Sequence, residues 1–167
     1  MVAPPSSNPA RTALALAVLV GATLAAYLNS FSGAFVFDDQ SAILENTSIR
    51  QLWPPGSMLI PPIAAGVRGR PLANLSFACN YAAGGLDVRG YHVGNLLIHT
   101  LAVLALFGVI RRTLLLPALR ERFGRDASLL ALSAAGLWAL DPVATNVVDY
   151  LSQRVEALMG LCYLATL

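Results

Sequence analysis

The stretch that decides the fold is VGNLLIHTLAVLALFGVI, residues 93–110, followed at once by Arg111 and Arg112. Its 18 residues carry no charge. At about 1.5 Å per residue they extend roughly 27 Å, close to the hydrocarbon thickness of a bilayer. The composition agrees: 56% of the 167 residues are apolar and 12% are charged. A soluble domain carries about 25% charged residues, so this chain has too few to cover a water-exposed surface. A disordered chain is excluded for the same reason. Eleven Arg, no Lys and nine acids leave a formal charge of +2, too small and too scattered for a nucleic-acid footprint. Two cysteines, Cys79 and Cys162, make neither a disulfide framework nor a zinc spacing. The fold class expected is all-α, a multi-pass helical membrane protein.

Outward from this span, Arg111, Arg112, Arg120, Arg122 and Arg125 face only Glu121 and Asp126 in the short loop 111–126. The positive-inside rule makes that loop cytoplasmic, so the span at 92–110 runs inward. The span before it must then run outward. It is read at 12–30, where 12–28 (TALALAVLVGATLAAYL) is free of charge and Arg11 flanks the inner side. No Lys/Arg cluster precedes it and no A-x-A site closes it, so it reads as an uncleaved span rather than a signal peptide. Residues 1–11 read as a mobile cytoplasmic tail. Residues 31–91 form a large outer loop, whose four Arg lie in too long a segment to set orientation. A third span is expected at 127–140, where Ser133, Ala134, Ala135 and Gly136 suggest close helix packing. Residues 141–154 return to the outer face, and 155–167 is a fourth helix too short to cross, so the chain is expected to be part of something longer.

The polar residues of the outer side are the functional candidates. FVFDD (35–39) stands just past the first span and places Asp38 and Asp39 where a helix dipole disfavours acids. Such a pair is able to hold a divalent ion, or one acid can act as general base on a hydroxyl; solvated flanking acids are the plain alternative. Residues 71–83 open on Pro71 and end at Gly84-Gly85, which predicts a short interfacial helix. Arg68 and Arg70 precede it and suit lipid headgroups, or, for Arg70, a phosphate clamp. His92, Asn95 and His99 share one face of the second span. The two His lie about 10 Å apart along the helix axis, too far to chelate one metal. Polar groups inside a span face a bundle interior or a wet cavity. Asn146, Asp149, Gln153 and Glu156 form a polar stripe if 145–167 is one helix, with Arg154 beside it.

Three stretches together resemble a family: FVFDDQSAILENTSI (35–49), GRPLANLSFACNYAAGGLDVRGYHVGNLLIH (69–99) and DPVATNVVDYLSQRVEALMGLCYL (141–164). In order and spacing, "FDD", "RPL-N-SF", "YH--N--IH" and "QR-E-LMGL" are similar to the N-terminal membrane region of the transmembrane and tetratricopeptide-repeat O-mannosyltransferases and their bacterial relatives. The resemblance implies a type C glycosyltransferase-like bundle, with Asp38 and Asp39 at the catalytic centre. It implies a polyprenyl-phosphate sugar donor, with Arg70 or Arg154 on its phosphate, and a Ser/Thr hydroxyl of a secreted protein as acceptor. His92, Asn95, His99, Asn146, Asp149, Gln153 and Glu156 would line one outer cavity, with no metal except a possible divalent cation at Asp38/Asp39. The setting implied is membrane lipid, in a bacterial inner membrane, with no nucleic acid. Where the family pattern usually reads "HP--TE", this chain has Asp141-Pro142 and Thr145-Asn146. The alternative is a non-catalytic or degenerate membrane subunit without transferase activity of its own.

The Arg asymmetry makes a direct prediction. With Ser57 and Thr113 each changed to Cys, an impermeant thiol reagent on intact cells should label position 57 and not 113. Labelling of 113 alone would invert the topology.

Overall fold

The computed structural model describes residues 9–54 and 56–167; most of the tail expected at 1–11 lies outside them. The described residues hold helices and no strand, which makes the fold all-α. The first helix, α1 (Pro9–Ala26), continues through a 3-10 turn at Leu28–Ser32. Together Pro9–Ser32 is long and apolar enough to cross a membrane. A four-residue helix, α2 (Gly56–Leu59), follows in the segment between the two long helices, called outer after the expected topology, then α3 (Pro71–Gly84) and the long α4 (Val88–Leu114). Helix α4, of 27 residues, is the second segment able to span. After α5 (Pro117–Phe123) come α6 (Ala127–Ala139), α7 (Thr145–Asp149) and α8 (Arg154–Ala165).

Local chemistry sets these boundaries. Pro71 opens α3 at a position whose N–H would be unpaired in any case. Gly85 closes it at φ 62°, with its N–H on the Tyr81 carbonyl at 2.7 Å. Asp87 then caps α4, its Oδ1 accepting the Arg89 N–H at 3.1 Å. Arg111 and Arg112 occupy the last turn of α4, where the dipole favours cations. Helix α6 has 13 residues, about 20 Å, and is too short to cross alone. Pro142 stops it, and the chain resumes as a 3-10 turn and α7 after a bend of 55°. Helix pair α6 and α7 together make one broken crossing by length and composition.

The stripe expected on a single helix over 145–167 does not form. Tyr150 is extended (φ −97°, ψ 103°) between α7 and a 3-10 turn at Leu151–Gln153. Asn146 and Asp149 thus belong to α7, Gln153 to the 3-10 turn and Glu156 to the first turn of α8. The break frees main-chain groups of 147–152 to bond with other elements, and those bonds build the site below.

In the membrane-side core, Ala127, Ala131, Ala135 and Ala139 recur every four residues and are all buried. They let α6 lie close against Val103 and Phe107 of α4 and Ala15 and Leu19 of α1. Ser133 and Ala134, expected to share this contact, point outward. The outer region has its own core, with Ile43, Ile49, Phe77 and Tyr91 at its centre. Beside it lies a closed polar network. Asn46 Nδ2 donates to Asn74 Oδ1 at 2.8 Å and to the Ala42 carbonyl at 2.9 Å. Ser48 Oγ donates to Asn46 Oδ1 at 2.6 Å and accepts from Asn74 Nδ2 at 2.9 Å. Asn74 Nδ2 also reaches the Met58 carbonyl at 2.6 Å. Asn74 thereby ties two separate segments, the turn at 46–48 and the residue Met58, to α3.

Asn74→Ala leaves buried groups of Asn46, Ser48 and Met58 unpaired, each worth about 1–3 kcal/mol. The variant should lose about 3 kcal/mol or more of stability, read as a lower midpoint in detergent thermal unfolding. A shift within error would show that the network does not hold the outer loop.

Candidate functional site

The centre of the outer half is Arg154, only 1% exposed at the first position of α8. Each of its three nitrogens is bonded to a neutral oxygen. Nε donates to Asn95 Oδ1 at 2.6 Å. Nη2 donates to the Tyr91 carbonyl at 2.8 Å. Nη1 reaches Asn80 Oδ1, the Ser76 carbonyl at 3.3 Å and Ser76 Oγ at 3.4 Å. Phe77 lies 4.5 Å below the guanidinium carbon, and Tyr91 lies 5.8 Å away. Ring faces favour a cation at this range. An arginine stays charged in proteins, so this is a buried cation whose charge is met by dipoles. With its donors engaged by α3 and α4, Arg154 locks those helices to α8. Expected as a phosphate clamp, Arg154 is buried here with protein oxygens on all three nitrogens.

A second buried charge faces the other way. Asp39 is fully buried, and both its oxygens accept main-chain N–H groups. Oδ1 takes Ser152 N–H at 2.7 Å, and Oδ2 takes Val36 N–H at 3.1 Å. Asp39 therefore pins the break before α8 onto the FVFDD loop. These two bonds give Asp39 a structural role at the start of α8. Asp38 is exposed, and no described residue hydrogen-bonds its carboxylate. Its main-chain N–H donates to the Tyr150 hydroxyl at 3.1 Å. Phe37, just before it, sits at φ 44°, a left-handed conformation that a side chain with a Cβ adopts only under strain. Its ring is 86% exposed, edge-on to Tyr150 at 6.5 Å. A π-helical turn at Gln40–Leu44 follows. The loop thus presents one free carboxylate beside one exposed ring.

The remaining expected residues divide. His92 is buried with Nδ1 3.3 Å from the Val148 carbonyl. Asn95 Nδ2 donates to the Val147 and Leu151 carbonyls, and His99 Nε2 meets the Ala139 carbonyl at 3.2 Å. These three hold α4 against the broken segment rather than lining an open cavity together. Asp149 accepts a short bond from the Ser30 hydroxyl. Asn146 and Glu156 are exposed, and Gln153 is half-buried. Two polar atoms are left over: His92 Nε2 and Ser152 Oγ are buried with no partner among the described residues. Of the pair Asp38 and Asp39, the Asp39 carboxylate is buried with one N–H bond on each oxygen, while the Asp38 carboxylate is exposed. Among the described residues no three His, Cys, Asp or Glu side chains gather as a metal group.

Arg70 is exposed, away from Arg154's enclosure, at the head of an apolar groove of about 290 Å³. Leu72 of α3 and Val155, Leu158 and Met159 of α8 form its walls. The surface of the groove is wholly apolar, which suits a hydrocarbon chain. Tyr150, Ser152 and Ser30 were missed by sequence reasoning: single hydroxyl residues carry no pattern, and their partners lie more than a hundred positions away.

Gly94 faces the Arg154 cluster across α4. A Cβ there would stand 2.7 Å from Arg154 Nη2 and 2.8 Å from Asn80 Oδ1. Gly94→Ala must therefore push the guanidinium from its acceptors. We expect a loss of about 2–4 kcal/mol, seen as a thermal-unfolding shift. Gly108→Ala on the same helix, where a Cβ meets nothing within 4 Å, should be silent.

Comparison with known proteins places this geometry. The chain is 36% identical over 146 residues to the Drosophila melanogaster protein O-mannosyl-transferase Tmtc1, covering 83% of the chain and 16% of that protein. It is 35% identical over 150 residues to the fly protein O-mannosyl-transferase Tmtc2, covering 84% and 15%. Human protein O-mannosyl-transferase TMTC4 is 31% identical over 163 residues, covering 88% and 21%. The chain spans between 15% and 21% of the length of these relatives. No family model matches it, and no solved structure does. Over the stretch it shares with these relatives, the chain belongs to the family of transmembrane and tetratricopeptide-repeat protein O-mannosyl-transferases.

Proposed function

We propose that this chain supplies the outer-face catalytic corner of a glycosyltransferase that moves a mannose-like sugar from a polyprenyl-phosphate donor to a Ser/Thr hydroxyl of a secreted protein. The observation that carries the chemical reading is the split between the two acids: Asp39 is bonded on both oxygens, and Asp38 is exposed in a strained loop. In the reaction the acceptor oxygen forms a bond to the anomeric carbon as the bond from that carbon to the phosphate oxygen breaks. The acceptor proton passes to Asp38, and the electron pair leaves with the lipid phosphate. Phe37 offers its exposed ring beside that carboxylate. Arg70 meets the phosphate, and the groove between α3 and α8 takes the first part of the polyprenyl tail. Any divalent ion would be held first through Asp38, whose carboxylate is the exposed one of the pair. The sidedness proposed is an inside N-terminus in a bacterial inner membrane, with 31–91 and 141–154 outside.

A second reading is a membrane subunit without activity. The observation favouring it is that Arg154, His92, Asn95 and Asp39 all serve packing, so the interior polar groups do not by themselves require a substrate.

The two readings separate in one experiment. Asp38→Asn should lower sugar transfer by about 10²–10⁴-fold with little change in thermal stability. Asp39→Asn turns one acceptor oxygen into a donor facing an N–H, so it should lose stability as well as activity. In a full-length protein that contains this chain, transfer by the Asp38→Asn variant at the wild-type rate would remove Asp38 as the base and favour the second reading.

A further inference from the structure

At the end of the bundle opposite Asp38, three helix ends meet around a cavity of about 500 Å³. Arg11 comes from the first turn of α1, Arg111 from the last turn of α4, and Arg125 from the residues leading into α6. Three guanidinium groups face one carboxylate, Asp126. The floor is apolar: Leu14 and Val18 of α1 and Leu129 of α6 line it, and all three are exposed on the bundle surface. Arg111 is held in place, its Nε donating to Ser128 Oγ at 3.1 Å, while Ser128 also meets Thr12 Oγ1 at 3.4 Å. That small network sets the spacing of α1, α4 and α6 at the cavity mouth.

We propose that this cavity is a binding site for one anionic phospholipid of the inner leaflet. Its phosphate lies among Arg11, Arg111 and Arg125, and its acyl chains run along Leu14, Val18 and Leu129. Charge complementarity asks for an anion, and the apolar floor opening toward lipid asks for a hydrocarbon tail on it. A free phosphate would leave that floor empty. The segment before α1 carries no acidic residue, so it does not supply the matching charge. Arg112, Arg120 and Arg122 belong to the same loop but do not line the cavity. The site is therefore a built pocket within the basic loop, separable from the loop's overall charge.

The test uses the purified full chain in neutral detergent, titrated with dioleoylphosphatidylglycerol or dioleoylphosphatidylcholine and read by thermal unfolding and native mass spectrometry. Phosphatidylglycerol should raise the unfolding midpoint and remain bound as one copy, and phosphatidylcholine should do neither. Arg11→Gln with Arg125→Gln, both exposed positions, should weaken phosphatidylglycerol binding about tenfold or more. Arg112→Gln with Arg120→Gln removes the same charge outside the cavity and should stay within about twofold. Equal weakening by the two pairs would overturn the proposal in favour of a general surface potential. Equal binding of the two lipids would overturn it too, as would inorganic phosphate giving the same Arg-dependent shift as the lipid.

Discussion

The structure depends on a cation that has no anion. Removing a guanidinium from water carries a penalty of several kcal/mol unless every donor is met. Arg154 is met by oxygens from Ser76 and Asn80 on α3 and from Tyr91 and Asn95 on α4, with Phe77 beneath. None of these groups repays the penalty alone, so they must assemble together. This ties the order of the outer half into a single event: α8 cannot start where it does unless α3 already lies across the head of α4. Gly94 belongs to the same constraint, because the guanidinium occupies the place where any other residue would put a side chain.

The anion has the complementary problem and the complementary solution. Asp39 is as buried as Arg154, yet its bonds go to two N–H groups. One of those, Ser152 N–H, lies two residues before Arg154, just ahead of α8 and past the break at Tyr150. The cation holds the start of α8 from the helix side and the carboxylate holds the same start from the loop side. Phe37, at φ 44°, lies two residues before the Asp39 clamp, and Asp38 between them is exposed.

The helical class and the two long apolar segments were legible because length and absence of charge are one-dimensional properties. Pro71 and Gly85 were legible for a related reason: caps act within a few residues of themselves. The break at Tyr150 was not. The sequence from Asn146 to Gln153 has no Gly or Pro, and helix continuity was the sound reading; the helix gives way because Asp39, 113 positions earlier, takes the Ser152 N–H. Arg154 and Asp39 were recognised as unusual charges, but residue type does not say whether a buried charge is bonded by substrate or by protein. The small-residue contact on α6 was placed on the run Ser133–Gly136, of which Ala135 and Gly136 do meet the neighbouring helices, while the buried period runs through Ala127, Ala131, Ala135 and Ala139. A run of small residues is conspicuous in a sequence; a period of four among many alanines is not.

These constraints decide which polar groups remain for chemistry. A group that is bonded on every side contributes rigidity, and a group with unmet bonding capacity at a surface contributes reactivity or binding. Arg154, Asp39, Asn95, Asn74 and Asn46 fall in the first class. Asp38 and Arg70 fall in the second, and they lie on the two segments that the first class fixes: Asp38 beside the Asp39 clamp, Arg70 one residue before the helix that carries Ser76 and Asn80. The separation has a physical logic. A general base must accept a proton, so its oxygens must not already be held by strong donors, and a phosphate-binding arginine must keep its fork open. Both then need rigid neighbours, because a free side chain on a loose loop loses the alignment that makes proton transfer fast. Satisfied buried charges supply that rigidity without competing for the ligand, and their cost is met by protein oxygens and N–H groups that a substrate never touches.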